Sequence, residues 1–221
     1  MSQLNEALKK AIAIYGAGGL GRELALMIYQ INLVQKQWEI IGFFDDGLKP
    51  NERVDDWPIL GGLKEAEQWE RPIDMVLAIA NPQIRYRLAS QLINPKIVFP
   101  TLIHPNCNAG DGQRNQFGRG VILTANTVLT TNVVIEDFVI VNLATTIGHD
   151  VTIGTCSSIM PGCSISGNVK IGARALVGTG ARFLQNITIG EDSIVGAGAI
   201  VTKSFDAGSR LKGIPARNFA R

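Results

Sequence analysis

The sequence predicts two architectures in one chain: a small α/β domain built on a parallel sheet, then an all-β parallel β-helix. Two observations predict this. From Phe117 onward every sixth residue is large and apolar, and residues 1 to about 100 instead alternate short apolar strands with amphipathic segments.

The six-residue ladder runs Phe117, Leu123, Leu129, Ile135, Val141, Ile147, Ile153, Ile159, Ile165, Ile171, Val177, Phe183, Ile189, Val195 and Val201. Neither a helical period nor simple alternation produces a strict six. Hexapeptide repetition marks a parallel β-helix, in which each hexad supplies one short strand and one corner, and three hexads close a coil. The ladder side chain points inward and stacks on those above and below. Gly follows it at Gly148, Gly154, Gly172, Gly178, Gly190 and Gly196, where it is expected to permit the tight corner.

The first domain is predicted to span residues 1–100, with a small Rossmann-like parallel sheet. Strands are expected at AIAIYG, IIGFFDD, DMVLAIA and KIVF. A helix over GRELALMIYQINL carries Leu24, Met27, Ile28 and Ile31 at helical spacing, and a short helix lies around GLKEAEQW. Asn81 caps and Pro82 opens a third helix with Ile84, Leu88 and Leu92 on one face. Strands alternating with helices imply a parallel sheet wrapped by helices.

The first turn reads Gly16-Ala17-Gly18-Gly19-Leu20-Gly21, which fits G-x-G-x-x-G between a strand and a helix. Such a turn aims backbone N–H groups at a phosphate. Gly16, Gly18 and Gly19 are the candidate phosphate cradle. Asp45 and Asp46 end the next strand, where an acid binds a ribose hydroxyl. With about four strands and no second mononucleotide half, a mononucleotide or nucleotide-sugar half-site is favoured over NAD-dependent chemistry. The competing role for the glycines is to pack helix against strand.

Residues 101–221 form the β-helix domain with a C-terminal tail. Its lead-in, AGDGQRNQFGRG, is polar and Gly-rich and is expected to protrude as a loop near the first coil. Net charge is +2 with Lys and Arg scattered, which argues against nucleic-acid binding. No apolar run reaches the roughly 18 residues of a membrane span. The start, MSQLNEALKKAIAIYGAGG, loosely imitates a signal peptide, but Gly16, Gly18 and Gly19 break the apolar run, so a cytoplasmic location is expected. Three Cys give no disulfide framework. Cys163, two residues before a ladder position, is expected to face the interior; Cys107 and Cys156 are taken as structural.

The chain has two His. His104, in an I-H-P segment, is read as structural. His149 follows ladder residue Ile147 by two, which places it outward near a corner, with Asp150 beside it. The residues alone leave two readings open, a solvated His and a catalytic one, for which a neighbouring carboxylate would fix the tautomer and keep the ring basic enough to take a proton. One His within the repeats is too few for a three-His zinc site, and no metal is expected.

The glycine turn, the hexapeptide ladder, the I-G-H-D segment, S-G-N-V-K-I-G and the terminal G-I-P-A-R together resemble the sugar acetyltransferases typified by sialic acid O-acetyltransferases and UDP-4-amino-sugar N-acetyltransferases. The resemblance covers essentially the whole chain. It implies that the coils are left-handed, that acetyl-CoA is the co-substrate, and that the protein is a homotrimer holding the cofactor between neighbouring prisms. It implies His149 as catalytic base with Asp150 as its partner, and the Gly167 N–H as donor to the thioester oxyanion. Asn142 falls where the family touches the acceptor. Gly178, Gly196, Ala197, Lys203, Ile214 and Pro215 fall along the groove for pantetheine and adenine. Two departures stand out: Leu20 replaces a His that many nucleotide-sugar members carry in the glycine turn, and Ser158 replaces a second His found in some members.

The expected function is acetyl transfer to an amino or hydroxyl group of a sugar, a nucleotide-linked amino sugar or sialic acid, by direct attack on acetyl-CoA with His149 as base. The competing expectation is a non-catalytic nucleotide-sugar-binding β-helix trimer.

Overall fold

The structure, a computed structural model, describes residues 9–110, 112 and 114–219. Residues 1–8 of the signal-like start, and Asp111 and Gln113 of the expected loop, lie outside the described residues. The chain divides into two compact units: Met1–Ala78 with Leu92–Phe99, and Ile79–Gln91 with Pro100–Arg221. Segment 79–91, expected within the first domain, therefore groups with the β-helix.

The first unit is built on strands β1 (Lys10–Tyr15), β2 (Trp38–Phe44), β3 (Arg53–Val54), β4 (Trp57–Gly61), β5 (Ile73–Leu77) and β6 (Ile97–Val98), with helices α1 (Gly19–Val34) and α2 (Leu63–Glu67) between them. Strand order is β3-β4-β2-β1-β5-β6, and every pairing is parallel except the β3–β4 hairpin. Six strands stand where the sequence suggests about four. The omitted pair, β3 and β4, lies in a stretch rich in charged residues, where apolar periodicity is weak. Helix α1 buries Leu24, Met27, Ile28 and Ile31, as its spacing predicts. Gly21 is required by packing: a Cβ there would overlap the Gly16 carbonyl oxygen.

The second unit opens with helix α3 (Pro82–Gln91). Asn81 caps it, its Oδ1 accepting from the N–H groups of Gln83 (3.0 Å) and Ile84 (3.1 Å). Leu88 and Leu92 are buried as expected, and the inward face departs from expectation only at Ile84. Ile84 is 46% exposed, and Arg85 is buried with Pro82 and Leu88. The Arg85 guanidinium donates to the carbonyls of Phe138 (2.8 Å), Cys156 (2.8 Å), Ser157 (3.0 Å) and Ile79, and to Ser158 Oγ (2.9 Å). This cation, without an acidic partner among the described residues, satisfies buried acceptors and fastens α3 to the prism. Burial lowers its pKa to about 10, so it stays charged at neutral pH.

The β-helix follows the predicted ladder at every step. Fifteen two-residue strands from Gln116–Phe117 to Ile200–Val201 each end on a ladder residue. Strands eighteen residues apart pair in parallel, so Ile147 lies between Leu129 and Ile165 on one face of the prism. Three faces result, and the ladder residues from Leu123 on are buried. The inner position two residues before the ladder takes small or apolar side chains. Two of the polar ones there bond to the next coil: Ser157 Oγ donates to the Gly172 carbonyl (2.8 Å) and Cys163 Sγ to that of Gly178 (3.3 Å). The expected lead-in loop is partly the first coil, for Gln116–Phe117 is a strand and Asn115 bonds to Ala109, Thr130 and Val133.

A Cβ would obstruct at the corner glycines, as expected, but these are not the left-handed positions of the corner. The left-handed residue is three after the ladder position, as at Asp150 (φ 59°), Asn168 (φ 57°) and Gly162 (φ 69°). Gly148, Gly154 and Gly172, one after the ladder, are instead needed because the next coil passes close by. A Cβ on Gly148 would lie 2.7 Å from Gly167 N.

Candidate active site

His149 and Asp150 occupy the corner between the face carrying Ile147 and the face carrying Ile153. The left-handed backbone at Asp150 bends its carboxylate back toward its neighbour. His149 Nδ1 and Asp150 Oδ2 are 2.7 Å apart, and the two side chains are 50% and 44% exposed. An ionised carboxylate only accepts, so this contact puts the imidazole proton on Nδ1 and leaves the Nε2 lone pair free. Asp150 Oδ1 accepts from Asn132 Nδ2 at 3.1 Å. The bonds from His149 and Asn132 hold the Asp150 carboxyl below its ordinary range.

Gly167, one coil on, completes the corner. Its Cα lies beneath the imidazole: a Cβ there would stand 2.5 Å from Cε1 and 2.9 Å from Cδ2 of His149. Asn168 N donates to the His149 carbonyl at 2.8 Å, tying the two coils together. The Gly167 N–H has no acceptor among the described residues. A half-exposed proton acceptor thus sits over a buried amide donor that has no acceptor among the described residues.

Lys203 belongs to the same column, since residues 149, 167, 185 and 203 each follow a ladder position by two. At about 4.8 Å per coil it lies about 14 Å along the corner from His149. Its Nζ rests over the Phe205 ring at 5.5 Å. Gly178, Gly196 and Ala197 are on another corner, which precedes the face carrying Ile147 rather than following it. One prism does not bring them to His149. Asn142 is buried near that other corner, its Oδ1 accepting the Leu143 N–H at 2.8 Å. Ile214 is 74% exposed, and Pro215 beside it is also exposed.

In the first unit Gly16 has φ 103°, and Gly18 and Gly19 face open space. Asp45 accepts from the Ala17 N–H (2.8 Å) and the Gly47 N–H (2.9 Å). Asp46 accepts from Tyr15 OH (2.7 Å) and the Leu63 N–H (2.9 Å). Asp45 braces the glycine turn, Asp46 ties Tyr15 to the start of α2, and a ribose hydroxyl would share them with these donors. Burial and the Asp46 carboxylate hold the Tyr15 phenol well above its usual range, so it remains a donor.

His104 is buried, its Nδ1 accepting the Asn106 N–H at 2.9 Å, and desolvation lowers its pKa. Cys163 is buried as predicted, and the three cysteines are free thiols. No described helix is long and apolar enough to cross a membrane.

The PglD N-terminal domain family matches residues 11–92, and the bacterial transferase hexapeptide (six repeats) family matches residues 168–203. GDP-perosamine N-acetyltransferase of Escherichia coli O157:H7 is 31% identical over 157 residues, covering 70% of this chain and 69% of that protein. The chain belongs to the NeuD/PglD-like sugar acetyltransferase family. This acetyltransferase also resembles solved structures along nearly its full length. The acetyltransferase domain of PglB from Neisseria gonorrhoeae FA1090, in complex with acetyl coenzyme A, is 30% identical with a TM-score of 0.86, covering 96% of this chain and 100% of that one. WeeI from Acinetobacter baumannii AYE is 31% identical with a TM-score of 0.86 over the same shares.

One contributor to the acetyltransferase site, and one residue that fastens α3 at another corner of the prism, escape a reading of the sequence alone. Asn132 lies eighteen residues before Asp150 in the same corner phase, a signal that the repeat contained. Arg85 carried no such signal, because a charged residue on a short helix reads as surface.

Proposed function

We propose that this protein transfers the acetyl group of acetyl-CoA directly to the amine of a nucleotide-linked amino sugar, with His149 as general base. The amine nitrogen attacks the thioester carbonyl carbon while His149 Nε2 takes its proton. The Gly167 N–H donates to the oxygen that becomes negative. The C–S bond then breaks, and the coenzyme A thiolate leaves or recovers the proton from His149. Asp150 stays ionised, holds the ring by Nδ1 and favours the imidazolium. The strongest support is the Nε2 above Gly167, beside an amide that has no acceptor among the described residues.

A nucleotide-linked amine is favoured over a sugar hydroxyl because the curated relative is named for N-acetylation of GDP-perosamine. Gly16, Gly18, Gly19, Asp45 and Asp46 are the proposed nucleotide-binding residues, and Asn142 a contact to the acceptor. The separation of His149 and Gly167 from Gly178, Gly196 and Ala197 supports a homotrimer. In it, one copy supplies the base and another copy's corner the pantetheine groove, with Lys203, Ile214 and Pro215 toward the nucleotide end of coenzyme A. Three free thiols favour a reducing, cytoplasmic setting.

The test is coenzyme A release with GDP- and UDP-linked amino sugars, comparing the native chain with His149→Ala. General-base help is worth roughly 10²–10⁴-fold. The variant should lose that factor while retaining coenzyme A binding. Turnover near the native rate removes His149 from the chemistry.

A further inference from the structure

We infer that Asn132 is a positioning residue for the His149–Asp150 pair, a role that rests on His149 being the base. Asn132, Asp150, Asn168 and Asn186 form one column of left-handed residues at φ 57°, 59°, 57° and 62°. They are eighteen apart, so each sits on the next coil. Asn tolerates this backbone better than other non-glycine residues, which explains its recurrence by conformation alone. At Asn132 conformation is not the whole account, because its side chain reaches across the coil to Asp150 Oδ1 at 3.1 Å.

The Asp150 carboxylate is thereby held at both oxygens, Oδ2 by His149 and Oδ1 by Asn132. A carboxylate held at one oxygen turns about its own bonds, and an exposed ion pair is weak when its geometry is loose. Asn132 removes that freedom. It does so with a neutral donor, so the full negative charge of Asp150 remains for the imidazolium; a Lys there would compete for it. Because the carboxyl is held below its usual range, these contacts favour the fold above that range and are lost as pH falls through the lowered value.

The experiment compares Asn132→Ala and Asn132→Gly. Both remove the amide; glycine also relieves the left-handed backbone, so an effect on folding alone would separate them. In both, the Asp150 carboxyl, followed by carbon-13 NMR, should titrate higher than in the native chain. In both, kcat should fall about tenfold, the loss expected for one hydrogen bond to a charged group, with KM for acetyl-CoA within about twofold. An unmoved Asp150 titration with native kcat overturns the role. His149→Ala in the same assay separates the two ideas. If it retains turnover, the base assignment fails and takes the positioning role with it. If it is inactive while both Asn132 variants match the native chain, Asn132 alone is excluded.

Discussion

The Cα of Gly167 supports the imidazole of His149 from the next coil, with no room between them for a methyl group. The ring keeps its 2.7 Å contact to Asp150 only because this position lacks a side chain. A residue eighteen positions downstream therefore sets where the base can stand.

Gly167→Ala should displace the ring outward, where His149 is already half-exposed and free to move. The bond to Asp150 and the approach of Nε2 to the acceptor are both lost. A misplacement of about 1 Å costs about 10²-fold. We expect kcat to fall by that order with the melting temperature nearly unchanged. Native kcat would mean that the ring acts from another pose.

Gly172 and Gly162 should fail for different reasons when changed to Ala. A Cβ on Gly172 would lie 2.8 Å from the Glu191 Cα and overlap its backbone nitrogen, forcing two coils apart. Overpacking of this kind costs about 1–3 kcal/mol. Gly162 has open space but φ 69°, so Ala there meets only the left-handed penalty of about 1–2 kcal/mol. Asn should recover most of the loss at 162 and none at 172, read by chemical denaturation. Recovery at both would show that coil spacing is not the constraint.

Arg85→Met keeps the buried stem but removes the donors to Phe138, Cys156 and Ser157. Those carbonyls lose a charged partner, and a cost of about 2–3 kcal/mol is expected after crediting the relieved desolvation of the charge. Lys at this position should be nearly as damaging, because an ammonium lacks the fork that reaches several acceptors. The measurement is the denaturation midpoint. An unchanged midpoint would remove Arg85 as the fastening of α3.

Much of this was legible in the chain. A strict six-residue period marked the fifteen strands from Gln116–Phe117 to Ile200–Val201, though not Leu102–Ile103, Arg210–Lys212 or Arg217–Asn218, and the phase of His149 placed it outward beside Asp150. The period also contained Asn132, though only as a corner residue. Strands β3 and β4 were hidden because a two-residue and a five-residue strand joined at Asp55-Asp56 are too short to carry a periodic signal. The inward face of α3 was misread because apolar spacing selected Ile84, whereas carbonyls on the prism selected Arg85.

Within the prism, the sequence by itself determined the stepping of the chain and which ladder residues face in, because a repeat imposes the same local choice at each step. Only the tertiary structure decided which corners meet. It stacked Asn132, Asp150 and Gly167 across three coils, and it set Gly178 and Ala197 on a different edge from the base. Neighbours eighteen residues apart interact through the spacing of coils, a distance that no local pattern records.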